Sequence, residues 1–427
     1  MHITKQIKTI LKTNPTLFTT SGDLADFSEF QGLDNLQNPT GPILKSLQRT
    51  ADIYGSKASF YLVNGSSSGI IALMLATVKQ GDKVLIARNA HKSVINALIL
   101  SGAVPVWAET GWDNDWNIPT CANIQNIPDN VKAIWLTSPT YEGIATDIRS
   151  IAQLCKEKNI PLIVDEAHGA LWPFSEFLPE SAIHCGADVC VQSLHKTGGC
   201  MNQGALLHLS KDSKINPELI QQTLNIINTT SPSYILLSSI ETSIEYLNST
   251  KGRKKLNQLI NNINDMKTRL KASTDAIFLE NSDPTKIFFR IPGTSAQELS
   301  DFIEDNFNIE FEMNNDRGIL AITGIDTSAQ SLKKLEKAIN KAHEKLKKGN
   351  KQADIMPFIT PIMMLTPSQA FSQKSESVEP ANAVGLISRE TIVNYPPGIP
   401  LIIAGEVVQE AHLEFLKHRE KIEIIKH

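Results

Sequence analysis

No two of the five cysteines, Cys121, Cys155, Cys185, Cys190 and Cys200, form a Cys-x-x-Cys pair, and their number is odd. An odd number without a dense framework argues against disulfides, and structural zinc sites draw on Cys-x-x-Cys pairs, so the thiols read as small buried hydrophobes in a reducing, cytoplasmic compartment, and no metal is expected. Charge of one sign is equally scarce. Lysine and arginine number 41 against 45 acidic residues, a net charge of −4 that gives no footing for nucleic acid or an anionic membrane. Long apolar runs are missing as well: the longest, Ile70 to Val78, falls far short of the ~20 residues that cross a bilayer. The first twelve residues place isoleucines at helical spacing between lysines, an amphipathic helix without the apolar core of a signal peptide. A chain of 427 residues is too long for one compact core, and two or more domains sharing an interface are expected.

Short β-branched runs alternate with helical stretches from residue 43 to about 272. Ala58 to Val63, Lys83 to Ala87, Val104 to Trp107, Lys132 to Thr137, Leu162 to Val164, Val189 to Val191 and Gly204 to Leu209 read as strands. Helices are expected at Ile70 to Val78, Val94 to Leu100 and Ile148 to Lys158, then at Pro217 to Asn228 and Tyr234 to Leu247. This alternation implies an α/β fold with a mostly parallel seven-stranded sheet, helices on both faces and right-handed crossovers. Residues 1–42 form an amino-terminal helix and a polar arm of the kind that reaches a second subunit. Residues 273–427 form a smaller α+β carboxyl-terminal domain with a tail, closing on a helix at Gln409 to His418.

Several strands end abruptly in polar clusters, and ligands of open α/β sheets bind at those ends. Asp165-Glu-Ala-His168-Gly169 follows one strand, and Ser193-Leu-His195-Lys196-Thr197 follows another. A strand ending in Asp-Glu-Ala-His is also found in nucleic-acid-dependent ATPases, but those need a Gly-Lys-Ser or Gly-Lys-Thr phosphate loop, and the chain has neither. A carboxylate and a lysine on neighbouring strand ends suit pyridoxal phosphate, which takes a lysine amine as a Schiff base and an acid to keep its ring nitrogen protonated. Upstream, Asn64-Gly65-Ser66-Ser67-Ser68-Gly69 joins a strand to a helix and presents N–H groups, hydroxyls and a positive helix end, a phosphate cradle. His91 sits at another strand-to-helix junction, where an imidazole stacks on a ring held at the sheet edge.

Taken in order, five of these segments resemble the Orn/Lys/Arg decarboxylase family, in the short form found in bacteria. They are Gly32-Leu-Asp-Asn-Leu36 with Gly41-Pro42, Asn64-Gly65-Ser66-Ser67, Arg88-Asn-Ala-His91-Lys-Ser93, Asp165 to Gly169, and Ser193 to Thr197; Tyr395-Pro-Pro-Gly-Ile-Pro400 adds a sixth near the end. The resemblance implies the fold of PLP-dependent transferases of fold type I and decarboxylation of arginine, lysine or ornithine, within polyamine-type metabolism. It implies Lys196 as the Schiff-base lysine, Asp165 as partner of the pyridine nitrogen, His91 stacked on the ring and His168 beside the ring oxygen and substrate. Ser66, Ser67, Ser68, Ser193 and His195 would surround the phosphate. Thr230 and Ser231 resemble a segment that reaches a neighbouring subunit's site, which implies a homodimer at least, and Glu406 is the candidate for the cationic end of the substrate.

Two stretches depart from the family pattern and bear on substrate choice. Thr19-Thr-Ser21-Gly22-Asp23 stands where a Pro-Gly-His-Lys run is usual, and Gly198-Gly199-Cys200-Met201 replaces a Leu-Pro-Ala pattern. Fold alone does not fix the reaction. Aminotransfer or elimination, with Arg290 or Arg317 gripping the α-carboxylate, and a PLP-binding homologue with impaired catalysis are the alternatives.

Overall fold

A computed structural model describes residues 1–12, 32–346, 359, 361–394 and 398–426. The departing stretch at 19–23, the lysine-rich segment 348–354 and Tyr395 to Pro397 lie outside the described residues.

The chain opens with α1 (Ile3–Lys12) and α2 (Pro42–Tyr54), then enters the large sheet at β1 (Ala58–Leu62). There follow α3 (Gly65–Thr77), β2 (Lys83–Ala87), α4 (Lys92–Ser101), β3 (Val104–Asp113), β4 (Ile118–Asn123), β5 (Val131–Thr137), α5 (Ile148–Lys158), β6 (Leu162–Asp165), β7 (Val189–Gln192), the four-residue α6 (Leu194–Thr197) and β8 (Ala205–Leu209). The strands lie in the order β1-β8-β7-β6-β5-β2-β3-β4. β8 runs antiparallel to both neighbours and β4 antiparallel to β3, while β7, β6, β5, β2 and β3 pair in parallel. The sheet therefore has eight strands rather than the expected seven. The extra one arises because β3 runs on past Trp107 to Asp113 and folds back as a hairpin through Asn117, whose φ of 55° makes the turn.

Both faces are covered, as the continuous apolar strands require. Ile70, Leu73 and Met74 of α3 and Val94, Ile95 and Leu98 of α4 pack with Val84, Ile86, Trp135 and Ile163 on one face. Ile148, Ile151 and Cys155 of α5 meet Leu85, Ile134, Leu162 and Val164 on the other. α1, α2 and the later helices α7 (Pro217–Ile227), α8 (Tyr234–Asn248) and α9 (Thr250–Ser273) complete the layers. α1 is anchored by Glu241 of α8, whose Oε2 accepts the Thr4 N–H at 3.0 Å and its hydroxyl at 2.7 Å. A carboxylate at a helix amino terminus satisfies both the free N–H groups and the positive dipole end.

A second, four-stranded sheet is built from β9 (Ile277–Phe278), β10 (Lys286–Arg290), β11 (Met313–Asn315) and β12 (Gly318–Ile322) in the order β11-β12-β10-β9, with α10 (Ala296–Phe307) and α11 (Ala329–Lys345) packed against it. The remaining residues contribute α12 (Pro367–Phe371), β13 (Ser375–Val378), β14 (Ile392–Asn394), β15 (Ile399–Ile402), α13 (Leu413–Leu416) and β16 (Ile422–Ile425). These form an apolar cluster of their own around Ile392, Ile402, Val408, Leu416 and Ile424. The closing helix expected at 409–418 is a single 3-10 turn, Glu410–His412, followed by the four-residue α13. Ile422 and Ile424, which alternate with charged neighbours, belong to a strand paired with β13, and that period-2 pattern ends the helix early.

Candidate active site

The parallel strands deliver their polar residues to one edge, as the sequence implied. Asp165 is the last residue of β6 and is buried, with Oδ1 accepting the Ala167 N–H at 3.1 Å. Burial pushes its carboxyl above the usual range, and the charge of Lys196 pulls it back down. Lys196 lies on α6, one strand over. Its side chain is open to the cleft, yet the dense protein around it lowers the amine's pKa, against the opposing pull of Asp165 and Glu312. Nζ sits 2.7 Å from His168 Nε2. An ammonium and an imidazolium cannot share one proton at that distance, so the contact requires a neutral ring. His168 Nδ1 is enclosed without a partner among the described residues. The ring's pKa lies well below its ordinary value, first through burial and then through Lys196, Lys286, His91 and His195.

The serine turn is the first turn of α3 rather than a loop before it, and the helix starts at Gly65 instead of Ile70. Gly65 takes a φ of 70°, which lets the chain leave β1 and enter the helix at once. Ser193 donates its hydroxyl proton to Ser66 Oγ at 2.8 Å, so Ser66 keeps its own O–H to give away. Ser67 is half-buried beside it, whereas Ser68 is buried and bonded back to the Gly65 carbonyl at 2.8 Å. His195 Nδ1 donates to the Gly204 carbonyl at 2.9 Å, which fixes the ring, and burial lowers its pKa. His91 caps α4: its Nδ1 accepts the Ser93 N–H at 3.2 Å, so the proton of the neutral ring is on Nε2. Burial, then Lys196 and Lys92, lowers it to about 4, leaving an uncharged flat face at neutral pH.

Four residues named from the sequence do not join this group. Glu406 is buried and pairs with Arg88 Nη2 at 3.3 Å, while its Oε2 also takes the Ile403 N–H at 2.8 Å. Thr230 and Ser231 are exposed on the connection from α7 to α8. Arg290, considered for an aminotransferase grip, holds Asp115 through two bonds of 2.9 and 2.7 Å and lies 4.3 Å over the Trp116 ring. Four residues escaped the sequence reading. The Tyr141 ring meets His168 edge-on at 4.6 Å and lies 5.9 Å from Lys196 Nζ, and its hydroxyl donates to Glu312 of the small-sheet unit. Lys286 and Asp283, also from that unit, are buried behind His168. The polar strand end containing Tyr141 was a visible signal; the other three have no local motif. Among the described residues no cluster of three or more His, Cys, Asp or Glu is placed to hold a metal ion, and no helix is long and apolar enough to cross a membrane.

Comparison with known proteins gives this edge a context. The major domain of the Orn/Lys/Arg decarboxylases matches residues 20–291, and their C-terminal domain matches residues 350–424. The chain belongs to the Orn/Lys/Arg decarboxylase family. It is 30% identical over 414 residues to an arginine decarboxylase of Bacillus subtilis (strain 168), covering 92% of this chain and 84% of that protein. It is 32% identical over 416 residues to an arginine decarboxylase of Bacillus anthracis, covering 92% and 83%. In fold, it superposes on the constitutive lysine decarboxylase of E. coli with a TM-score of 0.84 at 19% identity, over 99% of this chain and 82% of that one.

As a member of the Orn/Lys/Arg decarboxylase family the protein is a decarboxylase, and the family's cofactor is pyridoxal phosphate. The residues at the sheet edge fit that group. A cleft-facing amine of lowered pKa suits its aldehyde, and a buried acid with no bonded cation among the described residues suits a pyridinium N–H. The amino terminus of the 13-residue α3, with the unspent Ser66 proton, suits its phosphate.

Proposed function

We propose that this decarboxylase converts a basic amino acid, arginine, lysine or ornithine, to its amine and CO2 in the cytoplasm, as a step of polyamine-type metabolism. The observation that carries the reading is the contact of Lys196 Nζ with His168 Nε2 beside Asp165. Arginine is the first substrate to test, because the two Bacillus relatives reported above are named arginine decarboxylase.

Pyridoxal phosphate, when bound, supplies the electron sink that accepts the pair left by the departing CO2. Lys196 would hold it through Nζ, and Asp165, driven by its own burial to seek a cation, would keep the ring nitrogen's proton in place. His91 would lie flat on the ring, while Ser66, Ser67, Ser193, His195 and the end of α3 bind the phosphate, with Ser68 bracing the turn. Lys196 Nζ and His168 Nε2 share one proton, and that proton is delivered to the substrate's α-carbon once CO2 has gone. Glu312 is exposed at the mouth of the cleft, hydrogen-bonded to Tyr141 and sensed by Lys196, which suits the substrate's distal cation. Glu406, engaged with Arg88, serves better as a brace for the C-terminal segment. Thr230 and Ser231 would reach the cleft of a second copy in a homodimer.

The test is CO2 and keto-acid release from the three amino acids by the native protein and by Lys196→Ala. CO2 without keto acid from one of them, lost on the order of a thousandfold in the variant, supports the reading. Keto acid without CO2 assigns an aminotransferase, and undiminished CO2 release by Lys196→Ala overturns the proposal.

A further inference from the structure

Lys286, the first residue of β10, is 1% exposed, and its ammonium spends all three protons. They go to the His168 carbonyl at 2.6 Å, Asp283 Oδ2 at 2.7 Å and Thr285 Oγ1 at 3.2 Å. Asp283 is equally saturated. Its Oδ1 accepts the Thr285 N–H at 3.0 Å and hydroxyl at 2.6 Å, and its Oδ2 accepts Trp172 Nε1 at 2.9 Å in addition to Lys286. Two residues of the small-sheet unit thus grip the segment that follows β6 at two points, His168 and Trp172.

Stability alone does not account for this arrangement, because a buried ion pair is commonly replaced by apolar groups of similar shape at no cost. What an apolar pair cannot do is hold a carbonyl or set a charge behind an imidazole. We propose that Lys286 is a positioning residue for the decarboxylation: by gripping the His168 carbonyl it fixes the imidazole against Lys196 Nζ. The groups facing His168 are Lys196 from α6, the Tyr141 ring from the segment after β5, the charge of Lys286 and the imidazoles of His91 and His195. Of these, Lys286 is the one that also touches the His168 backbone.

The inference rests on the reading that His168 handles a proton. It is tested in the full-length protein with Lys286→Met/Asp283→Asn, which removes both charges together and leaves Trp172 an acceptor. The readouts are the urea midpoint, KM and kcat separately, and the ring titration of His168 followed by NMR of histidine-labelled protein without cofactor, assigned with His168→Gln. The expected result is a near-native midpoint, KM within twofold, kcat lowered about tenfold and a His168 titration raised by about one pH unit. A folded variant with native kcat and an unmoved titration overturns the role of Lys286. Asp283→Asn alone keeps the ammonium on the carbonyl, so its His168 titration is expected not to rise; a rise there also overturns the proposal. Full activity of His168→Gln would instead remove the proton-handling reading, and the catalytic meaning of Lys286 with it.

Discussion

The small-sheet unit and the C-terminal segment both meet the large sheet through a buried cation and a buried carboxylate, and the two joints are built differently. At Lys286 and Asp283 every charged atom has its partners, at 2.6 to 3.2 Å. At Arg88 and Glu406 the ion pair is longer, 3.3 Å, and although Arg88 Nη1 reaches the Pro400 carbonyl at 2.8 Å, Arg88 Nε and Glu406 Oε1 are enclosed with no partner among the described residues. The acids record the difference with opposite signs. Burial would raise Asp283, but Lys286 and the surrounding hydrogen bonds hold it below the usual range; burial raises Glu406, and Arg88 does not bring it back. A buried pair is rigid when its leftover hydrogen-bonding capacity is filled, and its charges alone do not achieve that.

Removing one partner from the filled joint has the largest expected effect. Asp283→Ala strands the Lys286 charge and is expected to cost roughly 3–5 kcal/mol in urea unfolding. Glu406→Gln at the other joint also removes the counter-ion of Arg88, but it keeps an acceptor for the guanidinium and removes a charge that burial already disfavours, and is expected to cost less, about 1 kcal/mol. Equal losses at the two joints would refute the contrast. The smallest effect is a pH slope from the acids that burial raises. Glu142, beside the filled joint through the Asn281 bond to its carbonyl, has its carboxyl raised by burial to about 7, and so has Glu166. The folded state then binds more protons than the unfolded one, so stability is greatest below the ordinary 4.5 and falls as pH rises through about 7. Glu142→Gln is expected to flatten the fall of the urea midpoint between about pH 5 and 8, and an unchanged slope would show that Glu142 does not cause it.

Local pattern was enough to place Asp165, His168, His195 and Lys196 at strand ends, because a four-residue apolar run followed by a polar cluster leaves little choice of fold. It failed at the β3–β4 hairpin, where Asp113 to Asn117 is rich in turn residues but the flanking strands are not long apolar runs. It failed also where pairing is non-local: the strand at 422–425 pairs with one some 45 residues earlier. Lys286 reaches His168 across 118 positions and Glu312 reaches Tyr141 across 171, and nothing near either one in the chain announces the contact. Glu406 shows the converse. A carboxylate after a strand looks free until the arginine 318 positions away is found beside it.

Gly324, after β12, has no room for a side chain, since a β-carbon there would lie 2.8 Å from the Thr197 carbonyl oxygen; the same oxygen accepts the Ile325 N–H at 2.8 Å. Thr197 directly follows Lys196, so the second unit is latched to the helix turn that carries the amine. Any clamshell opening between the two units must either snap that latch or drag Lys196 away from Asp165.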